Sequence, residues 1–323
     1  MRFAFTEDQI EFRDAVRDLL ANECPPSVVR AAWDNPDGRS GSAWRALAEM
    51  GVLGAGAPED RGGLGFTALD LVLITEETGY AALPEPFVEH ALVAMPVLPD
   101  STVEAAAAGE TLVTAALGGA AYVPYAASAG LVLTEEDESL VLVAGGALTV
   151  RPETSVDGTR RLGWIEWDDA EIVGDGPALA AAFDRGVLGT AAQLVGLSRR
   201  MLDLTVGYVK EREQFGVPIG SFQAVKHHLA DARIALEFAR PLVYRAAWSM
   251  TEGGADASVP VSMAKALASD AAALTARQAL QCHGAMGYSF EYDLHLFMKR
   301  AWALAATWGD AAWHRARVGR AIL

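Results

Sequence analysis

Arg212-Glu-Gln-Phe-Gly-Val-Pro-Ile-Gly-Ser-Phe-Gln-Ala-Val-Lys-His-His-Leu-Ala-Asp231 is the stretch whose reading decides the fold. Before it, Leu197, Met201, Leu204 and Tyr208 recur at helical spacing, so the chain arrives on a helix. Gly216 and Pro218 break that helix. Ser221 is placed to cap the next one, which runs through Val225 and Leu229. Arg212 therefore stands at a helix exit beside Gln214 and Phe215. A guanidinium forks onto an anion and a ring offers a flat face, so the group suits a planar or phosphorylated ligand. An arginine there also complements the helix dipole without any ligand, and residue chemistry alone leaves both readings open.

Composition narrows the class. A chain of 323 residues is long enough for two or three subdomains, and 51% hydrophobic residues with heavy use of alanine favours helical bundles. A formal charge of −16 argues against nucleic acid, which needs a basic face. Cys24 and Cys282 give no disulfide framework and fit a reducing compartment. CxxC and HExxH are absent, so no metal site is expected. The start, Met1-Arg-Phe-Ala-Phe-Thr-Glu-Asp8, has no apolar core of signal-peptide length. No run reaches about 18 apolar residues, so no membrane span and a cytoplasmic location are expected.

Read in order, Thr6 to Gln9 is a capping box opening a helix with Phe12, Val16, Leu19 and Leu20 on one face. A second helix starts near Ser42 and ends at Gly51. Ala57-Pro-Glu-Asp-Arg-Gly-Gly-Leu-Gly65 follows no clear strand, which makes it a poor phosphate cradle. The next helix carries Leu69, Val72 and Leu73 and stops at Gly79, with Glu76 and Glu77 reading as a solvated end. Prolines 84, 86, 96 and 99 then divide short helices. Strand patterns follow at Thr111–Leu117, Gly130–Leu133 paired with Leu140–Val143, Ala147–Val150 and Gly163–Trp167. From Pro177 to Leu323 the pattern is helical. The expectation is a mostly α chain with a small β middle, divided at 1–110, 111–176 and 177–323. The helix with Met263, Leu267, Leu274 and Leu280 enters Gln281-Cys-His-Gly-Ala-Met-Gly-Tyr288, where tiny residues let backbone approach a ligand.

Arg212, Phe215, Gly216, Ile219, Phe222, Gln223, Leu229, Ala230 and Asp231 together resemble the central signature of the acyl-CoA dehydrogenase family. Residues 57–65 are similar to its PExxGGxG turn. Residues 281–288 are similar to its QxxGGxGY turn, with Ala285 in place of the second glycine. The resemblance covers nearly the whole chain. It implies a helical N-domain, a β middle and a C-terminal four-helix bundle. It further implies FAD as cofactor, an acyl-CoA thioester as substrate and electron-transfer flavoprotein as electron acceptor. The residues it assigns to the ADP half of FAD, across a subunit interface, are Arg212, Gln214, Phe215, Gln223, Gln281 and Gly284.

The departures are as informative as the matches. The family's catalytic Glu takes the substrate's Cα proton, and general-base catalysis is worth roughly 10²- to 10⁴-fold. Its two possible positions correspond here to Trp308 and Gly186, and neither is a carboxylate. Asp310 and Asp184 lie two residues away, which on a helix points them elsewhere; both read as exposed helix-terminal acids, Asp310 as a cap. The TEPxxGSD stretch that holds the flavin ring is replaced by Ala116-Leu-Gly-Gly-Ala-Ala-Tyr-Val-Pro124. Trp164-Ile165-Glu166 only loosely matches the family's Trp-Ile-Thr/Ser. No catalytic residue is therefore assigned. The chain resembles the base-lacking subunit of the α2β2 acyl-CoA dehydrogenases found notably in actinobacterial steroid side-chain degradation. That resemblance implies a catalytic partner chain and a shared FAD. A self-sufficient homo-oligomer with an unusual base, and a non-catalytic scaffold or acyl-CoA-binding subunit, stay open. His227, His228, His283 and His314 receive no role.

Overall fold

The structure, a computed structural model, describes residues 4–253 and 257–323. Five helices come first: α1 (Glu7–Glu23), α2 (Pro26–Asp34), α3 (Ser42–Glu49), α4 (Ala68–Tyr80) and α5 (Asp100–Ala107). A π-helical turn, Val88–Ala94, lies between α4 and α5. Thr6 caps α1 as its sequence requires: the Gln9 amide donates to Thr6 Oγ1 (3.2 Å) and the Thr6 amide to Gln9 Oε1 (2.9 Å).

Two small sheets follow. Strands β1 (Val113–Ala115), β3 (Leu131–Glu136), β4 (Ser139–Ala144) and β7 (Glu171–Gly174) form one in that order; β2 (Val123–Pro124), β6 (Leu162–Glu166) and β5 (Thr149–Glu153) form the other. The β3–β4 hairpin turns through Asp137 and Glu138, both at positive φ. Strands β2 and β7, two and four residues long, are too short to show an alternating pattern, and sequence reading misses them.

The remainder is helical: α6 (Gly176–Glu211), the miniature hairpin β8 (Glu213–Gln214) and β9 (Val217–Pro218), then α7 (Gln223–Thr251), α8 (Ser258–His283), α9 (Leu294–Ala305) and α10 (Ala311–Ile322). Helices α6, α7 and α8 pack side by side, with α9 and α10 against them. One continuous apolar core runs from Leu20 through Phe87 and Leu133 to Leu188, Met201 and Phe297. Among the described residues no helix is long and apolar enough to cross a membrane.

Three local expectations are corrected. Glu76 and Glu77 are not solvated: they are 1% and 3% exposed. Arg199 binds both, Arg240 lies 3.3 Å from Glu76, and Tyr244 donates to Glu76 Oε2 at 2.6 Å. Ionised carboxylates survive burial only with such partners. Ser221 does not cap α7; Phe222 occupies the cap position while Ser221 Oγ donates to the Pro218 carbonyl (2.7 Å). Gly79 lies within the last turn of α4, where a Cβ would sit 2.2 Å from the Gln193 carbonyl oxygen of α6.

The middle region is tied to the bundle by Arg300 of α9. Its guanidinium, almost wholly buried, reaches Asp157 and Thr159 and donates to the Leu83 carbonyl at 2.8 Å. One side chain thus joins the loop before β6, the segment after α4, and α9. Arg300→Met leaves Asp157 buried without its charge partner, and about 3–5 kcal/mol of stability is expected to be lost. Urea unfolding followed by circular dichroism checks this through the shift in midpoint.

Candidate cofactor-binding site

Helix α6 ends at Arg212, whose amide donates to the Tyr208 carbonyl (2.8 Å). The β8–β9 hairpin follows at once, pairing Glu213 with Pro218 and Gln214 with Val217. The Ile219 amide closes it on the Arg212 carbonyl at 2.8 Å. Both residues of the tip, Phe215 and Gly216, have positive φ (+56° and +81°), the requirement of a two-residue turn that twists with its strands. Asn or Gly normally meets it; a phenylalanine there is strained. Phe215 is also 94% exposed, its ring meeting only the edge of Phe222 at 6.1 Å. A large apolar ring held in water on a strained backbone has no purpose in this chain's own packing.

The second turn closes α8. Gly284 has φ +58° and ψ −137°, a conformation essentially restricted to glycine, and the space where its Cβ would stand is open. The ends of α6 and α8 are tied together where Tyr208, one helical turn before Arg212, stacks on His283, two residues after Gln281. Their ring centroids are 4.3 Å apart and Tyr292 packs edge-on at 5.8 Å. His283 Nδ1 faces the Ala279 carbonyl at 2.8 Å, and burial holds the imidazole below its ordinary value, so the stacking ring is neutral. Arg212, Gln214, Phe215, Gln223, Gln281 and Gly284 are all exposed, and Arg212's guanidinium makes no hydrogen bond or ion pair among the described residues. Tyr208 and His283 received no role from the sequence; the signal was an aromatic residue one turn before the first motif and an imidazole within the second.

The family's two base positions meet each other in space. Trp308 is 8% exposed and its indole lies over Gly186, so that a Cβ at 186 would stand 2.6 Å from the ring. Phe183 packs on Trp308 and Trp313 with centroids 5.9 Å and 5.6 Å apart. A Cβ at Gly118 would meet Phe183 at 2.3 Å. The amides of Gly118 and Gly119 donate to Glu135 (3.1 Å and 2.6 Å). Rings thus fill the space over Gly186 and Gly118, and Glu135 takes up the two glycine amides. Asp310 is the N-cap of α10, accepting from the Trp313 amide at 2.8 Å. Asp184 is not the exposed acid expected: it is buried against Arg317 at 2.6 Å. Both acids have structural partners, and neither stands at the vacated base position.

The Trp308 turn is itself clamped. Trp308 and Gly309 have positive φ, +56° and +83°. Lys265, fully buried on α8, donates to the carbonyls of Gly309 (3.0 Å) and Ala305 (3.1 Å). His314 Nε2 lies 2.8 Å from the Trp308 carbonyl and Nδ1 lies 3.1 Å from Ser262 Oγ. A carbonyl only accepts, so Nε2 carries the proton. Burial pushes the Lys265 ammonium down to about 7 and the His314 imidazole to about 4.

Two outcomes are expected. Gly186→Ala forces the indole aside and costs about 1–3 kcal/mol, and much less in a Trp308→Ala background; a double-mutant cycle in urea measures the coupling. Between pH 7 and the ordinary lysine value of 10.5, the unfolded chain holds the Lys265 proton that the folded chain releases. The Lys265 contribution to stability therefore rises with pH across that window. Lys265→Met removes this slope, as paired urea titrations at pH 7 and pH 9.5 will show.

With this geometry in hand, the comparisons are direct. Residues 6–108 match the family model for the acyl-CoA dehydrogenase N-terminal domain, and residues 174–323 that for the C-terminal domain. Acyl-CoA dehydrogenase IpdE2 of Mycobacterium tuberculosis (strain ATCC 25618 / H37Rv) is 32% identical over 303 residues, 91% of each chain. The crystal structure of the ChsE4-ChsE5 complex from Mycobacterium tuberculosis matches with a TM-score of 0.90 at 25% identity, covering 99% of this chain and 98% of that one. A Tcur3481-Tcur3483 steroid ACAD variant shares the fold with a TM-score of 0.89 at 24% identity over 98% of both chains. Both ends of the chain carry the family's pattern, and the middle strands between them lie outside either model: the chain belongs to the acyl-CoA dehydrogenase family.

Proposed function

We propose that this chain is the base-lacking subunit of a heteromeric acyl-CoA dehydrogenase, and that it supplies the ADP half of a FAD site to a catalytic partner chain. One observation carries the reading. The chain's own cleft is filled by Trp308 on Gly186, while Arg212 and Phe215 stand outward with nothing in this chain to bind. The donor set suits an adenine dinucleotide: the Arg212 guanidinium suits the diphosphate, Phe215 offers a flat face, and Gly284 keeps backbone open to close approach. The Gln214, Gln223 and Gln281 amides add donors and acceptors around them. FAD, when bound, accepts the hydride from the acyl-CoA thioester. Here the proton-abstracting carboxylate and the flavin-ring pocket are assigned to the partner, because this chain has Trp308 and Gly186 where a base would stand.

The relatives support a heteromeric assembly, since one matching structure is of a two-protein complex, and another, called a steroid ACAD, supports a steroid substrate; the α2β2 count follows from the family resemblance. A steroid side-chain or fatty acyl-CoA as substrate, electron-transfer flavoprotein as acceptor and a cytoplasmic location follow from the same likeness. Boundaries at 1–110, 111–176 and 177–323 fit the change from helix to strand and back. A self-sufficient enzyme needs a base and an open cleft, and the aromatic packing opposes both.

Flavin content per chain tests the reading, measured from the visible spectrum on protein purified alone and co-expressed with a catalytic-type chain. None alone and one FAD per pair is expected. One FAD per chain alone overturns it, and full partner activity in a flavin-free complex favours the scaffold. In the complex, Arg212→Ala removes a charged contact worth about 1.5–3 kcal/mol, so FAD should dissociate roughly 10- to 100-fold more readily. Unchanged flavin retention sinks the role of Arg212.

A further inference from the structure

Helix α2 belongs to the N-terminal region, yet one face of it grips the segment that follows the Gly284 turn. Arg30 and Trp33 lie three residues apart and so on the same side of α2. The Arg30 guanidinium divides its donors between two residues of that segment: one nitrogen donates to the Phe290 carbonyl, the other to Asp293 Oδ1 at 2.6 Å. His295 Nε2 reaches the same Phe290 carbonyl at 3.2 Å. The Lys299 ammonium stands 4.3 Å from the centre of the Phe290 ring and 4.9 Å from that of Trp33. An arginine that binds a carbonyl and a carboxylate at once fixes direction as well as charge.

The gripped segment continues directly from the candidate cofactor site. Gly284 opens a short 3-10 turn, Gly284–Tyr288, and the Ser289 amide donates back to the Met286 carbonyl at 3.1 Å. From there to α9 the segment's own ties are local: the Tyr292 amide to the Ser289 carbonyl at 3.3 Å and the Glu291 amide to Ser289 Oγ at 3.2 Å. Tyr292 stands between Phe290 and Asp293, the two residues that Arg30 holds. Its ring packs 4.9 Å from His283 and 5.8 Å from Tyr208. A contiguous path therefore runs from Arg30 through Phe290 and Asp293 to Tyr292, and on to the stack that ties the end of α6 to the end of α8. Packed rings and hydrogen bonds in such a chain can carry a change at one end to the other. The Arg30 and Asp293 side chains are 35% and 37% exposed, so the pair adds little to global stability and its effect on the turn can be measured apart from it.

We propose that Arg30 is a positioning residue for the candidate cofactor site: it sets the course of residues 289–293 and, through Tyr292, the placement of the Gly284 turn. Its role toward a cofactor rests on the flavin reading above.

Flavin release from the co-expressed pair, followed by the rise in free-flavin fluorescence, tests it together with hydrogen exchange of the chain alone. Arg30→Met and Asp293→Asn are each expected to speed release roughly 2- to 30-fold. The double variant is expected to be no faster than Arg30→Met, because both act through one contact. Amide exchange should quicken at residues 285–293 and stay unchanged in α6 and α7, with the melting temperature within about 3 °C of wild type. Exchange that rises throughout the chain with a falling melting temperature is the mark of a general structural role and overturns the proposal. So do effects that multiply in the double variant. A flavin-loaded wild type whose release is indifferent to Arg30→Met overturns this proposal alone, whereas a wild-type pair that holds no flavin overturns the flavin reading and this proposal together.

Discussion

Two glycines allow α4 and α6 to touch backbone to backbone, and the rest of the molecule is arranged around that crossing. A Cβ at Gly196 would lie 2.0 Å from the Glu76 carbonyl oxygen, and one at Gly79 would lie 2.2 Å from that of Gln193. No side chain fits at either place, so the crossing has one register. Burying Glu76 and Glu77 there would be prohibitive alone; Arg199 and Arg240 converge on them, and Tyr244 adds a hydrogen bond. Helix α6 is thereby fixed along its 36 residues. One end then presents Gly186 to Trp308 and the other presents Arg212 at the surface.

The consequence is a molecule with opposite treatment of two comparable places. Near the start of α6, where a reactive cleft would be, space is filled by rings and backbone amides are used by Glu135. At its far end, donors are left unused and rings are left wet. Packing density and polar satisfaction are the ordinary goals of a folded chain. The two ends of α6 are thus treated oppositely, and the proposed shared cofactor site would lie at the exposed one.

The fold was legible because its signals are local. The Thr6 capping box, the Leu131–Glu136 and Ser139–Ala144 hairpin and the break at Gly216 and Pro218 each follow from a few neighbouring residues. The six candidate residues were named by likeness and each is exposed, and the Tyr208–His283 stack, which no spacing rule predicts, ties the end of α6 to the end of α8. What stayed hidden depends on contacts far apart in sequence. Glu76 and Glu77 read as a wet helix end because Arg199 lies more than a hundred residues away. Asp184 misread as exposed for the same reason: its partner, Arg317, is nearly at the C-terminus. Lys265 sits in an alanine-rich run like any helix lysine, and only the Ala305 and Gly309 carbonyls reveal its burial.

Two aromatic residues share the same positive φ and are treated differently by the chain. Phe215 and Trp308 both have φ of +56°, a conformation costing of order 1–3 kcal/mol for a bulky residue. For Trp308 the cost is offset within the chain. Its indole is buried against Gly186 and Phe183, its carbonyl accepts from His314, and Lys265 holds the next residue. For Phe215 nothing in the chain offsets it: the ring is in water and meets one ring edge. Folding of this chain alone would be served better by glycine there. In the proposed shared site, the offset for this strained, exposed ring would come from outside the chain. A cofactor bridging two subunits would satisfy Phe215 and Arg212 at once.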